Sequence, residues 1–268
     1  MKKIEFVYPA TLSINMGSRV CELNCKHCGG HYLEVMTPTF LLKNSSMSTY
    51  NSILLSGGCD SSGKMLFNSE VFDHIENKKI NLHIGHYDFE QFLPFMEKIH
   101  YISLDFTLDS EIIQNIYHLK QTSEDFKLRF STLHALYLNK VVPHICVGLN
   151  FGKCVKEYEA IEYLSNYKLE KLVLIIFIPT RNTYMESCEK PNIDEVVEVF
   201  KFAKQKLPEC KIQLGCMRPT GRYRVDLETR LIKEGCVDTI VKPSRKAVEF
   251  TKELGILTTV KEACCVFE

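Results

Sequence analysis

The chain has 268 residues, 33 Lys+Arg against 33 Asp+Glu, and 45% apolar residues. This is an ordinary globular composition, long enough for one large core, and its zero net charge argues against a surface built to hold nucleic acid. No apolar run approaches the roughly 18 residues that a membrane helix needs, and Met1-Lys2-Lys3-Ile4-Glu5 opens no secretory signal, so a cytoplasmic protein is expected. Twelve cysteines stand out, because in a reducing compartment thiols serve as metal ligands, redox groups or small core residues rather than as disulfides.

In chain order, eight short apolar runs read as strands. They are Thr11 to Asn15, Ser52 to Leu55, Asn81 to Ile84, Tyr101 to Phe106, Val141 to Leu149, Lys171 to Ile178, Lys211 to Leu214 and Val237 to Val241. Near-continuous apolar stretches such as Leu172 to Ile178 fit strands covered on both faces, as in a parallel sheet. Residues 37–48 read as loop. Helical patterns lie between the strands. Asp88 is placed to cap a segment bearing Phe89, Phe92 and Met96. Asn192, with Glu195 three residues on, opens a helix carrying Val196, Val199, Phe200, Ala203 and Leu207. Ser244 opens a last helix that Gly255 can end. No linker or repeat divides the chain. The pattern predicts one α/β domain over 1–268, a (β/α)8 or slightly open barrel with its core over about 5–255 and a cysteine-bearing tail, 256–268, near the barrel mouth.

The strongest chemical signal follows the first of these strands: Cys21-Glu-Leu-Asn-Cys25-Lys-His-Cys28. Three closely spaced thiolates can hold three corners of a cubane iron–sulfur cluster and leave one iron open. A structural zinc site would need a fourth ligand, from His27 or a distant cysteine. Together with Ser56-Gly57-Gly58 after the second strand, the triplet resembles that of the radical S-adenosylmethionine superfamily.

The resemblance implies a 4Fe–4S cluster on Cys21, Cys25 and Cys28 that cleaves S-adenosylmethionine to methionine and a 5′-deoxyadenosyl radical. It also implies cofactor contacts. Gly57 and Gly58 would receive the methionyl amine, His27 would lie near the adenine, and Ser103 and Asp105 are candidates for the ribose. Each has an ordinary alternative: a turn at the glycines, a solvent-facing loop histidine, and a polar interior layer on the strand of Ser103 and Asp105. The segment Val141 to Leu149 resembles the one that packs against the adenine.

Cys59-Asp60 directly after Gly58, Leu214-Gly215-Cys216-Met217-Arg218-Pro219 and the terminal Cys264-Cys265 narrow the resemblance to biotin-synthase-like enzymes. Among these the chain is most similar to one subunit of the two-protein lipoyl synthases known chiefly from archaea. What this implies is sulfur insertion. Hydrogen would be abstracted from an octanoyl chain on a lipoyl-carrier protein, and sulfur taken from an auxiliary iron–sulfur cluster. Cys59, Cys216, Cys264 and Cys265 are the candidate ligands of that cluster. A second radical enzyme subunit and an electron donor would be partners; no nucleic acid or membrane is expected. The alternatives are a biotin-synthase-like or other radical enzyme without a sacrificial cluster, and a non-catalytic metal-binding protein. Cys146, Cys154, Cys188, Cys210 and Cys236 read as packing or surface thiols. Arg218, Arg222, Arg224 and Arg230 read as a solvated face or a receptor for a carboxylate or an acidic carrier. Pro179-Thr180-Arg181-Asn182 is placed as a site loop.

Overall fold

The computed structural model describes residues 3–42, 49–75, 77–86 and 89–267. Among these residues eleven strands form one parallel sheet: β1 (Lys3–Val7), β2 (Thr11–Asn15), β3 (Thr37–Pro38), β4 (Ser52–Ser56), β5 (Lys79–His83), β6 (Tyr101–Asp105), β7 (Val141–Val147), β8 (Lys171–Ile176), β9 (Lys211–Leu214), β10 (Thr239–Val241) and β11 (Leu257–Lys261). Among the described residues five α-helices follow β6: α1 (Ser123–Leu136), α2 (Glu157–Leu164), α3 (Ile193–Lys206), α4 (Arg222–Glu234) and α5 (Arg245–Glu253). The strand order is β11-β1-β10-β9-β8-β7-β6-β5-β4-β2-β3. The sheet therefore curls as an open barrel.

One stretch of chain bridges its two sides. β1 pairs with β10, and only Tyr8-Pro9-Ala10 separates it from β2, which pairs with β4. The eight expected strands are all present, with their ends shifted by a few residues. β1 and β11 add to them at one edge. They escaped notice because they are short and mixed in polarity; β11 reads Leu-Thr-Thr-Val-Lys with three of its five residues exposed. The barrel thus extends to Lys261 rather than ending near residue 255.

The walls follow from the sequence. In β8, Leu172, Val173 and Leu174 are buried and face alternately inward and outward. The Asn192 side chain accepts hydrogen bonds from the amides of Asp194 and Glu195 and starts α3, which buries Val196, Val199, Phe200 and Ala203. Ser244 Oγ accepts from the Ala247 amide to start α5. Gly255, in the left-handed region at φ +64, follows the end of that helix. The segment of Phe89 and Phe92 differs from expectation. It forms a 3-10 helix over Glu90–Phe95, and Pro94 inside it denies the amide that a longer α-helix would need. Its expected cap, Asp88, lies outside the described residues. Thr37–Pro38 and Thr39–Leu41 form a short strand and a 3-10 turn inside the expected loop.

The tail closes the barrel at its floor, where the strands begin, and not at the mouth. The register of β11 causes this. Lys261 ends beside Val7, the carbonyls of Lys261 and Glu262 accept from the amides of Tyr8 and Ala10, and the chain is delivered to the start of β4. There the Cys264 amide donates to Ser52 Oγ, Lys171 Nζ donates to the Val266 carbonyl, and Phe267 packs edge-on to Tyr101. Cys265, Val266 and Phe267 form a small core with Val7, Val142, Val173 and Val241. Among the described residues no helix is long and apolar enough to cross a membrane.

Candidate metal centre at the barrel mouth

β2 ends at Asn15, and the chain from there to the start of β3 at Thr37 forms the loop that carries the triplet. Its turns use residues that tolerate the left-handed region: Asn24 at φ 42, Gly29 at φ 50 and Gly30 at φ 78. The amides of Cys28 and Gly29 both donate to the Cys25 carbonyl, which curls the loop so that Cys25 and Cys28 face each other. The loop is tied down from outside. The Lys26 amide donates to the Ile116 carbonyl, His118 Nδ1 lies 2.7 Å from the Leu23 carbonyl, and Cys25 Sγ lies 3.8 Å from the Tyr117 carbonyl. Leu23 and Cys25 are buried.

Donor atoms of Cys25, His27 and Cys28 lie within 4.8 Å of one another, the one such grouping among the described residues. Hydrogen bonding with Cys25, helped by His27, holds the Cys28 thiol down at about 4, and the same pairing together with burial raises Cys25. Cys21 is held down at about 6, first by a hydrogen bond from the Cys59 thiol. Soft thiol donors with lowered proton affinity fit an iron–sulfur cluster or another thiophilic ion. His27 stands edge-on to Tyr117 at 5.6 Å, and its Nδ1 is buried without a partner. It faces the protein and is not a solvent-facing loop residue.

Gly58 is required by packing. A Cβ there would sit 2.6 Å from the Val20 carbonyl oxygen and 3.2 Å from Cys21 Cα, so the end of the β4 segment lies directly on the cysteine loop. Gly57 is less confined, with the Leu66 carbonyl at 3.1 Å. Gly58 thus meets the triplet's loop while Gly57 faces Asn15, Met65 and Leu66, and the neighbour that forbids a side chain at Gly58 is this chain's own backbone.

Ser103 and Asp105 share the inner face of β6 and differ in role. Ser103 is buried and donates to Asn81 Oδ1 at 3.0 Å, so its hydroxyl is committed to the barrel wall. Asp105 ends the strand and lies 3.3 Å from His83 Nε2. Burial works against the Asp105 charge, yet His83 beside it takes the carboxyl well below the usual range. Burial likewise opposes the His83 charge, and Asp105 outweighs it, raising His83 above the ordinary histidine value. His144 stands 6.0 Å away from His83, ring to ring, with Nδ1 donating to the Val142 carbonyl and burial keeping it neutral, down at about 4. His83 was not among the residues expected at the site, and His144 was expected only as part of the segment Val141 to Leu149. The signal was present, since Asn81 and His83 alternate along an expected strand whose inner face they share.

The His83–Asp105 pair carries a pH signature. A histidine raised by folding stabilises below its unfolded value and loses that contribution as pH rises through its folded value. A depressed carboxylate stabilises above its unfolded value and loses its contribution as pH falls through the folded one. The pair is therefore fully stabilising between the ordinary carboxylate and histidine ranges. Asp105→Asn should drop the His83 titration midpoint below the ordinary histidine value, because burial then acts unopposed. An unchanged midpoint by NMR titration would remove Asp105 as the cause.

Of the four cysteines grouped by sequence for a second cluster, Cys59 stands apart from the other three. Cys59 lies beside Cys21, its amide donating to Cys21 Sγ at 3.4 Å. Cys264 and Cys265 lie at the floor with their sulfurs 4.0 Å apart, and Asn81 Nδ2 donates to Cys264 Sγ at 3.7 Å. Cys216 follows β9, where the Ile176 amide donates to the Met217 carbonyl and keeps the chain alongside β8. Cys216 is solvent-accessible although protein surrounds it, because it faces the hollow of the barrel; burial raises its thiol, and the charge of Cys264 raises it further. Cys146 also lines the barrel interior, whereas Cys210 and Cys236 are buried packing thiols.

Arg218 is not aimed at the hollow. It is buried, with Nε donating to Glu228 Oε1 at 2.9 Å and further donors on the carbonyls of Gly215, Val241 and Lys242. Arg224 joins the same carboxylate, while Arg222 and Arg230 pair with Asp226 and Asp194 at the surface. The four arginines are thus partnered within the chain. Thr180, in the loop after β8, meets Tyr32 of the cysteine loop at 3.1 Å, so this loop does border the site.

No family model matches the sequence, and no curated protein is similar to it. The fold has clear counterparts. Over 96% of the chain it is similar to the FeFe-hydrogenase maturase HydG from Carboxydothermus hydrogenoformans, with TM-score 0.63 and 14% identity, covering 68% of that chain. A second HydG structure matches with TM-score 0.64 and 14% identity over 64% of its chain, and methylornithine synthase PylB with TM-score 0.57 and 11% identity over 84%. At these identities the likeness establishes a shared barrel fold.

Proposed function

We propose that this protein is a radical S-adenosylmethionine enzyme whose cluster is held by Cys21, Cys25 and Cys28. The observation that carries the reading is a three-thiol loop at the mouth of a parallel barrel whose counterparts include such enzymes. When bound, a 4Fe–4S cluster in this place supplies the electron that cleaves S-adenosylmethionine and yields a 5′-deoxyadenosyl radical. The chain's own residues do the rest. Gly58 lets the β4 end close on the cysteine loop, and His27, edge-on to Tyr117, gives the wall beside the triplet an aromatic ring for a base to pack on. Asp105, charged and facing inward at the mouth, can accept from ribose hydroxyls. The tail packs across the floor of the barrel, opposite the mouth.

The finer reading is sulfur insertion of the lipoyl synthase kind. Cys216 and Cys264 favour it, since both face the hollow in which a radical would be formed, with Cys265 next to them. On this reading they hold an auxiliary iron–sulfur cluster that donates sulfur, an octanoylated carrier protein is the substrate, and a second synthase subunit and an electron donor are partners. Replacing Cys216 and Cys264 together with alanine should leave cleavage of S-adenosylmethionine intact and abolish thiolation of an octanoylated carrier peptide. Thiolation surviving in that variant would end the sulfur-donor reading. A second reading draws on the charged His83–Asp105 pair, which suits a polar substrate better than an alkyl chain. On it the protein acts on a small polar molecule and holds no sacrificial cluster.

A further inference from the structure

Cys59 occupies an unexpected place. It leaves β4 through Gly57-Gly58 and forms an isolated antiparallel bridge with Met65, while the Leu66 amide donates to the Gly58 carbonyl. The segment is therefore pinned from both sides. The Glu22 amide donates to the Cys59 carbonyl at 2.7 Å, and the Cys59 amide donates to Cys21 Sγ at 3.4 Å. The close approach of Gly58 to Cys21 Cα sets this contact. Cys59 is 7% exposed, so its sulfur faces the cysteine loop and not solvent. It shows no contact with Cys216, Cys264 or Cys265.

Around one loop the fold thus gathers four thiols as two pairs, Cys21 with Cys59 and Cys25 with Cys28. Three donors leave one position of a tetrahedral ion, or one iron of a cubane, without a protein ligand; four leave none.

We infer that Cys59 is a fourth, exchangeable thiolate donor of the metal centre formed by Cys21, Cys25 and Cys28, and that it yields its position when the cofactor's amino and carboxylate groups bind. This rests on the triplet being a metal centre, as proposed above. No electrons move in the exchange. The Cys59 thiol gives its proton to solvent as the metal–sulfur bond forms, and takes one back when that bond is replaced by bonds to the cofactor's nitrogen and oxygen. In the resting protein the fourth thiolate protects the centre, because an iron lacking a protein ligand is the one lost on mild oxidation.

The test uses full-length protein carrying Cys216→Ala, Cys264→Ala and Cys265→Ala, so that one centre remains. After anaerobic reconstitution it is treated with ferricyanide and read by EPR. With Cys59 present the four-iron cluster should survive. With Cys59→Ala added most of it should convert to the three-iron form, and Cys59→Ser should fall between. Equal conversion with and without Cys59 would overturn the inference. If a variant fails to assemble a cluster, cobalt(II) added to the apoprotein counts ligands directly. Thiolate-to-metal absorption should match four sulfurs with Cys59 and three without it, and three in both would overturn the inference. The ligand count needs no turnover, so it stands or falls apart from any failure to cleave S-adenosylmethionine.

Discussion

Protein carrying alanine at Cys21, Cys25 and Cys28 is expected to hold about four fewer irons per chain than wild type after anaerobic reconstitution, one cubane's worth. The reason is local. Cys25 and Cys28 face each other because two amides curl onto the Cys25 carbonyl, and Cys21 is held from the other side by the β4 end. Removing all three leaves His27 and Cys59, too few donors for a cluster. Circular dichroism should be unchanged, since the loop is also anchored at the Lys26 amide and the Leu23 carbonyl by bonds that involve no sulfur. If the variant kept its full iron, the metal would be bound elsewhere. The iron left in the variant tests the auxiliary site as well. About four remaining would mean a second cubane, and none would leave Cys216, Cys264 and Cys265 without that role.

The second large effect falls on stability. Glu228 is fully buried in α4 and accepts from Arg218 and Arg224, with a further bond from the Ser244 amide at 2.7 Å. Glu228→Ala leaves the buried Arg218 without its counter-charge, which should cost about 3–5 kcal/mol. Arg218 also ties the carbonyls of Gly215, Val241 and Lys242 together, so the ends of β9 and β10 should loosen with it. Chemical denaturation of the metal-free protein measures this loss. A cost below about 1 kcal/mol would mean that the arginine reaches water, as surface pairs do.

Much of the barrel was legible because buried parallel strands carry a strong signature. Apolar runs such as Leu172 to Ile176 have no exposed side to interrupt them. β1 and β11 were missed because they mix polar with apolar residues, and β11 at the sheet edge is largely exposed. The expectation for the tail failed for a related reason. Which end of the barrel it reaches depends on the pairing of Lys261 with Val7, a register that hydrophobicity does not encode.

At the site, the triplet was readable from spacing alone, since ligands in one loop are close by covalent geometry. The other cysteines were not. Cys59 is 38 residues from Cys21 in sequence, and its position is fixed by the clearance Gly58 leaves against Val20. Alternation placed Ser103 and Asp105 on one face correctly, but it gave no sign that Asn81 takes the serine and His83 the aspartate. Arg218 read as part of a solvated face or a receptor for a carboxylate. The strand ends at Leu214, which frees Arg218 to turn toward Glu228.

The measurement that bears most directly on the central claim is the yield of 5′-deoxyadenosine and methionine from S-adenosylmethionine with reconstituted protein and a strong reductant under anaerobic conditions. The proposed function predicts both products in equal amounts, and neither from the triple-alanine variant. A colourless protein that binds zinc at the triplet and releases neither product would contradict it.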